Sequence, residues 1–207
     1  MKRYLRFFFL FFVITFQGSV SLAIDSVQRW QVTLSPKAIK STASVEFIAI
    51  GRPTALKIRG KGGVPEGSFL IQKNEVTGSV EVILENFDTG IGLRNEHMRK
   101  KYLEIEKFPK AKLEVKKMIL PDSFWTSGFL EDISYEGTLT LHGKSKPMSS
   151  KASLAKAIER TETTILIKTS FSLKLSDFGI TPPSFKGITV AQDVQVSVSF
   201  LASLKKL

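Results

Sequence analysis

Few residues in this chain have the types and spacing that chemistry requires. Asp88-Thr89-Gly90 is the tripeptide in which aspartic proteases carry a catalytic carboxylate, and those enzymes bring two such loops together so that paired carboxylates share a proton. The chain holds one copy, at the exit of a strand and the start of a basic segment, so a protease would require dimerisation. At that position Asp and Gly are expected as a turn and helix entry, since Asp accepts hydrogen bonds from the first free amides of a helix. The two histidines, His97 and His142, could hold zinc only with carboxylates drawn from distant strands. His97 with Glu96 and Glu104 makes no recognised metal spacing, and His142 falls on the polar parity of its strand. A Ser-His-Asp hydrolase lacks its Gly-X-Ser-X-Gly elbow. The expectation is therefore no enzyme and no metal.

The remaining cluster is Arg94, His97, Met98, Lys101 and Ile105. The stretch Gly92–Ile105 has strong helix formers, no internal Gly or Pro, and Pro109 beyond its end. At helical spacing these five residues share one face, a basic and partly apolar stripe lying against or over the end of whatever the rest of the chain builds.

The rest of the chain builds strands. Ile165, Ile167, Phe171, Leu173 and Leu175 alternate with Lys168, Ser170, Ser172, Lys174 and Ser176, the pattern of a half-buried antiparallel strand. Val194, Val196, Val198 and Phe200 repeat it, as do Val80, Val82 and Leu84, and Tyr135, Gly137, Leu139 and Leu141. Shorter candidates run over 30–34, 45–50, 56–60, 68–72, 112–118 and 148–154. Strands separated by Gly, Pro, Asn and Asp clusters, each with one polar face, predict an all-β antiparallel barrel of about eight strands with one short helix at a barrel end. Several strands are long enough to enclose a ligand. Large inward residues such as Leu139, Phe171, Leu173 and Phe200 meeting at one level would instead plug the barrel, as in a structural or stress-related envelope protein.

The N-terminus reads as a secretory signal peptide over residues 1–23. Lys2, Arg3 and Arg6 precede an apolar run from Phe7 to Phe16, and Ser21-Leu22-Ala23 offers the small-residue cleavage site, with Ala23 the last residue removed. The run is about half of the roughly 20 residues that cross a bilayer. Residues 24–207 then form one domain, periplasmic or secreted. The chain has no cysteine, so neither disulfides nor an acylated lipoprotein cysteine is available.

The formal charge of +11 is spread along the chain as single lysines, with Lys100-Lys101 and Lys116-Lys117 the only adjacent pairs before the tail. Most form a solvated face; attraction to an anionic membrane surface is the second reading. Nucleic acid is disfavoured. Six of the sixteen phenylalanines lie in the leader (Phe7, Phe8, Phe9, Phe11, Phe12 and Phe16), and the others sit mostly on buried strand parity instead of a basic surface.

Three blocks together resemble the YceI-like family of periplasmic lipid-binding proteins. The segment 91–111 is similar to the family's Arg, acidic residue and His, followed by a helix, an acidic residue and an aromatic-Pro pair, here Arg94, Glu96, His97 and Phe108-Pro109. The segment 135–147, YEGTLTLHGKSKP, resembles the family's strand ending in Leu-His-Gly followed by Thr or Ser, Lys and Pro. Ser176-Asp177-Phe178-Gly179 before a terminal strand matches the third block. The resemblance covers about residues 70–203 and departs at the start, where the family's acidic residue and His-Ser are replaced by Thr33-Leu34-Ser35-Pro36 and the segment 52–63 is extended. It implies a lipocalin-like eight-stranded barrel holding a polyisoprenoid chain, ubiquinone- or polyprenyl-phosphate-like in relatives, with no cofactor chemistry. The ligand-binding residues expected on this basis are Arg94, His97, Met98, Lys101, Phe108, Leu139, Phe171 and Phe178. The expected partner is an isoprenoid or fatty lipid, and a homodimer is compatible with the sequence.

Overall fold

Alternating apolar residues bury one face of each strand and leave main-chain groups to be paired laterally, and here the lateral pairing runs full circle. The computed structural model describes residues 29–34, 43–52, 57–159, 162–185 and 188–207. They form one eleven-stranded antiparallel sheet. The strands are β1 (Arg29–Leu34), β2 (Ser44–Arg52), β3 (Lys57–Lys61), β4 (Glu66–Gln72), β5 (Glu75–Ile83), β6 (Lys110–Ile119), β7 (Phe129–Leu141), β8 (Lys144–Glu159), β9 (Glu162–Lys174), β10 (Ser184–Phe185) and β11 (Ile188–Lys206).

Closure depends on β11, the longest strand. One edge pairs with β9 from Asp193 to Leu204. Its other edge serves two partners in succession: β2 between Thr189 and Ser199, then β1 between Ala202 and Lys206. Strand β1 pairs on to β4, and β4 to β5. Strand β2 pairs on to β3, whose last residue, Lys61, exchanges two 2.8 Å main-chain hydrogen bonds with Asp88. Thus β1 with β2, and β3 with β4, each fill one place in the ring. With β5, β6, β7, β8, β9 and β11 this is a closed eight-stranded barrel with no free edge around most of its circumference.

Every strand expected from alternation is present, and its apolar parity faces inward. The adjacent pair Lys116-Lys117 has a structural cause. A bulge in β6 sets Val115 opposite Gly137 and Lys117 opposite Glu136, so both lysines point outward while Val115 and Met118 stay inside. Gly137 is required there, because a Cβ would collide with the carbonyl oxygen of Glu114.

The far end of the barrel is sealed. Leu120 and Phe124 are 0% exposed, and Trp30 stacks on Trp125 with ring centroids 5.4 Å apart. A five-residue helix, α2 (Ser123–Ser127), carries Phe124 and Trp125 and stops at Gly128, whose φ of 70° is the left-handed cap conformation. Asn74 holds this closure, accepting from the Trp125 indole and donating to Asp122.

At the other end lies the expected helix, shorter than predicted. It begins as α1 (Gly92–His97), widens into a π-turn over Met98–Tyr102, and ends before Glu104, which is left-handed at φ 44°. Asp88 does not cap it; Ile91 occupies that position. The Asp88 main chain is instead taken by its bridge to Lys61, and its carboxylate accepts from the Gly90 amide at 2.8 Å and from the Asn95 side chain at 2.6 Å.

Candidate functional site

The inward parity does not fill the barrel. A continuous cavity of about 560 Å³ lies inside, lined almost entirely by aliphatic and aromatic side chains. On β9 the inward positions Ile165, Ile167, Thr169, Phe171 and Leu173 all reach it, so it follows the barrel along most of that strand. Leu120 and Met118 form its closed end, and Ile91, Leu93 and Pro183 stand at its mouth. The rings of Phe69 and Phe200 lie parallel with centroids 6.3 Å apart, yet both line the cavity without blocking it. The plug that large inward residues could have formed is absent.

One polar pair interrupts the apolar wall. The buried Tyr135 hydroxyl is 3.1 Å from Thr169 Oγ1, and Thr169 in turn donates to the Lys151 carbonyl at 2.8 Å. Thr169 is therefore the acceptor of the tyrosine proton. Burial raises the pKa of Tyr135, which keeps the phenol neutral inside the barrel.

Of the expected binding residues, Arg94, His97, Met98, Leu139 and Phe171 line the cavity. Leu139 and Phe171 are on the wall; Arg94, His97 and Met98 are at the mouth, carried by α1 and the first residue of the π-turn. The Arg94 guanidinium is engaged within its own loop, donating from Nε to Thr89 Oγ1 at 2.8 Å and from Nη2 to the Thr89 carbonyl at 2.6 Å. Asn95 completes this loop by accepting from the Thr89 amide and hydroxyl. The Asp88-Thr89-Gly90 tripeptide is thus the folded base of α1. Asp88 has its pKa lowered, first by the Gly90 amide and then by Asn95.

Lys101, Phe108 and Phe178 are not among the lining residues. The π-turn rotates Lys101 off the Arg94 and His97 face, and its ammonium stands 5.6 Å from the Tyr102 ring. Phe108 and Phe178 belong to a cluster beside the mouth centred on His142. His142 Nε2 is 2.9 Å from Glu104 Oε2, its Nδ1 is 3.1 Å from the Phe178 carbonyl, and its ring meets Phe108 edge-on at 4.6 Å. His142 lies just past the end of β7, left-handed at φ 51°, and is mostly buried rather than on a solvated face. All three sequence blocks therefore meet here, Glu104 and Phe108 from the first, His142 from the second and Phe178 from the third. The spacing along the chain carried no signal for this meeting beyond the fact that the blocks recur together.

Among the described residues no group of histidines and carboxylates is placed to hold a metal ion, and no helix is long and apolar enough to cross a membrane.

Known proteins place this architecture. BcnA of Burkholderia cenocepacia has a similar structure, with a TM-score of 0.60 over 77% of this chain and 95% of that one at 14% identity. A polyisoprenoid binding domain from Saccharophagus degradans, implicated in plant cell wall breakdown, superposes with a TM-score of 0.59 over 85% of this chain and 98% of its own, at 15% identity. The Campylobacter jejuni YCEI protein does so with a TM-score of 0.57 over 70% and 84% at 19% identity. At such identities the likeness shows the fold. No curated protein matches the chain. The sequence model of the YceI-like domain matches residues 30–202, reaching further toward the N-terminus than the three motif blocks, and on this ground the chain belongs to the YceI-like family.

Proposed function

We propose that this protein is an exported binding protein that encloses the chain of an isoprenoid or similar lipid in its barrel and holds the polar end of that lipid at the mouth. The observation that carries this reading is the cavity itself: an apolar channel of about 560 Å³, closed at Leu120 and open beside Arg94 and His97. Removing an apolar chain from water is favourable by about 25 cal/mol per Å² of surface buried. Affinity therefore rises with the length of chain enclosed, whereas the few polar groups at the mouth set specificity.

The solved domain described as polyisoprenoid binding, which shares the fold over most of its length, supports the ligand class. The charged, apolar and small-residue order of residues 1–23 supports export to a periplasm or beyond. Binding of this kind needs no cofactor and no catalytic group.

Organic extraction of the protein purified from its own cell envelope, followed by mass spectrometry, tests the reading. One enriched long-chain isoprenoid or quinone is the expected result. Protein that yields no lipid above that of an unrelated envelope protein overturns it, in favour of a structural barrel.

A further inference from the structure

The loop and helix at the mouth carry two features that enclosing a chain does not require. Ile91 and Leu93 line the opening, yet they are 52% and 62% exposed. Other large apolar residues are comparably exposed, among them Ile119, Phe129 and Ile158, but these lie toward the sealed end, and Phe129 is followed closely by Glu131 and Asp132. The surroundings of Ile91 and Leu93 have the opposite sign. Arg94, Arg99, Lys100 and Lys101 follow within ten residues, against two carboxylates, Asp88 at the base of the helix and Glu96, which Lys100 pairs at 3.0 Å.

A lipid leaving the cavity must pass between these residues, and an apolar chain crossing open water would lose the stabilisation that burial gives it. Aliphatic tips surrounded by cations are the combination that holds a protein to an anionic lipid surface, through apolar insertion and attraction to headgroups. We propose that the barrel mouth docks onto an anionic phospholipid membrane, with Ile91 and Leu93 entering the headgroup boundary, Lys100 and Lys101 facing the phosphates, and the cavity opening directly into the bilayer. This rests on the lipid-binding reading above.

Vesicle co-sedimentation tests it, using the protein as isolated from its own cells and vesicles of phosphatidylethanolamine with phosphatidylglycerol, or of phosphatidylcholine alone. The wild type should pellet with the anionic vesicles, release at high salt as headgroup attraction is screened, and stay in solution with phosphatidylcholine. Lys100→Glu with Lys101→Glu should weaken anionic binding by about thirtyfold or more, and Ile91→Ser with Leu93→Ser should weaken it at low salt, where headgroup attraction is unscreened. Both double variants keep the N-terminus of the wild type, so a difference belongs to the mouth. A circular dichroism melt confirms that each is folded, and either pair alone is sufficient. The proposal is overturned if the wild type ignores anionic vesicles, binds both kinds equally, or binds as before in a folded variant of either pair. Extraction of the same preparations separates the two ideas. Lipid in the barrel without vesicle binding sinks the docking alone, and vesicle binding that depends on the mouth in a lipid-free protein sinks the lipid-binding reading alone.

Discussion

His142 and Glu104 meet across 38 residues of sequence, with Nε2 and Oε2 2.9 Å apart beside the open end of the barrel. The other ring nitrogen faces the Phe178 carbonyl at 3.1 Å. The contact joins the end of the mouth segment to the β7–β8 turn and to the segment that follows β9. It closes the base on which α1 stands. His142→Gln should therefore lower stability by about 1–2 kcal/mol, seen as a fall in melting temperature of about 2–8 °C. An unchanged melt would show that the Phe108 and Phe178 packing suffices without the imidazole.

The pH dependence follows from carboxylates whose pKa is lowered in the folded state. Glu104 is held below its ordinary range first by Lys107, at 2.7 Å, and then by His142. Asp88 is held down by the Gly90 amide and the Asn95 side chain. A depressed folded pKa contributes stability that is present above the unfolded value, about 4.3 for Glu and 3.9 for Asp. That stability is lost as pH falls through the folded value. The wild type should lose melting temperature progressively below about pH 4.5, and Glu104→Gln should show a shallower acid slope in the same titration.

Filling the cavity separates binding from folding. Ala152 is buried on β8 and lines the channel, so the ring introduced by Ala152→Phe projects into empty space instead of packed core. The variant should melt at or above the wild-type temperature and carry several-fold less extractable lipid. A full lipid load would move the ligand out of the barrel.

The two mouth residues should behave differently. Arg94 is bound into the Thr89 loop, whereas His97 is exposed at the rim. Arg94→Gln should lower the melting temperature by about 6 °C or more, as two charge-assisted hydrogen bonds of about 1.5–3 kcal/mol each are lost. His97→Gln should melt like the wild type and change which lipid is retained. If Arg94→Gln melts normally and loses lipid, its guanidinium holds the ligand and not the loop.

Export has its own check. Ala23→Phe should leave an unprocessed precursor, because signal peptidase needs a small side chain at that position. N-terminal sequencing of the wild type should begin at Ile24. Normal processing of the variant would place the cleavage site elsewhere.

The strands were legible because inward and outward parity is a local property, written residue by residue in Ile165 to Leu175, Val194 to Phe200 and the shorter runs, and a one-residue error would turn each apolar face to water. What alternation could not express is how the ring closes. That β11 would offer one edge to β2 and then to β1, and that Lys61 would join Asp88, depends on contacts between residues far apart in sequence. The same holds at the mouth. Helical spacing put Lys101 beside Arg94 and His97, but the π-turn at Met98–Tyr102 changed the rotation per residue, and Lys101 left the cavity. Phe108 and Phe178 read as ligand contacts because they fall in the motif blocks; in the fold the Phe108 ring meets His142 edge-on and the Phe178 carbonyl faces its Nδ1. The sequence by itself determined the strands, their inward faces and the place of the basic helix. Tertiary structure alone decided that large residues such as Phe69, Phe171 and Phe200 would leave a channel between them, because the space between side chains is set by barrel curvature and strand stagger, which no local pattern records.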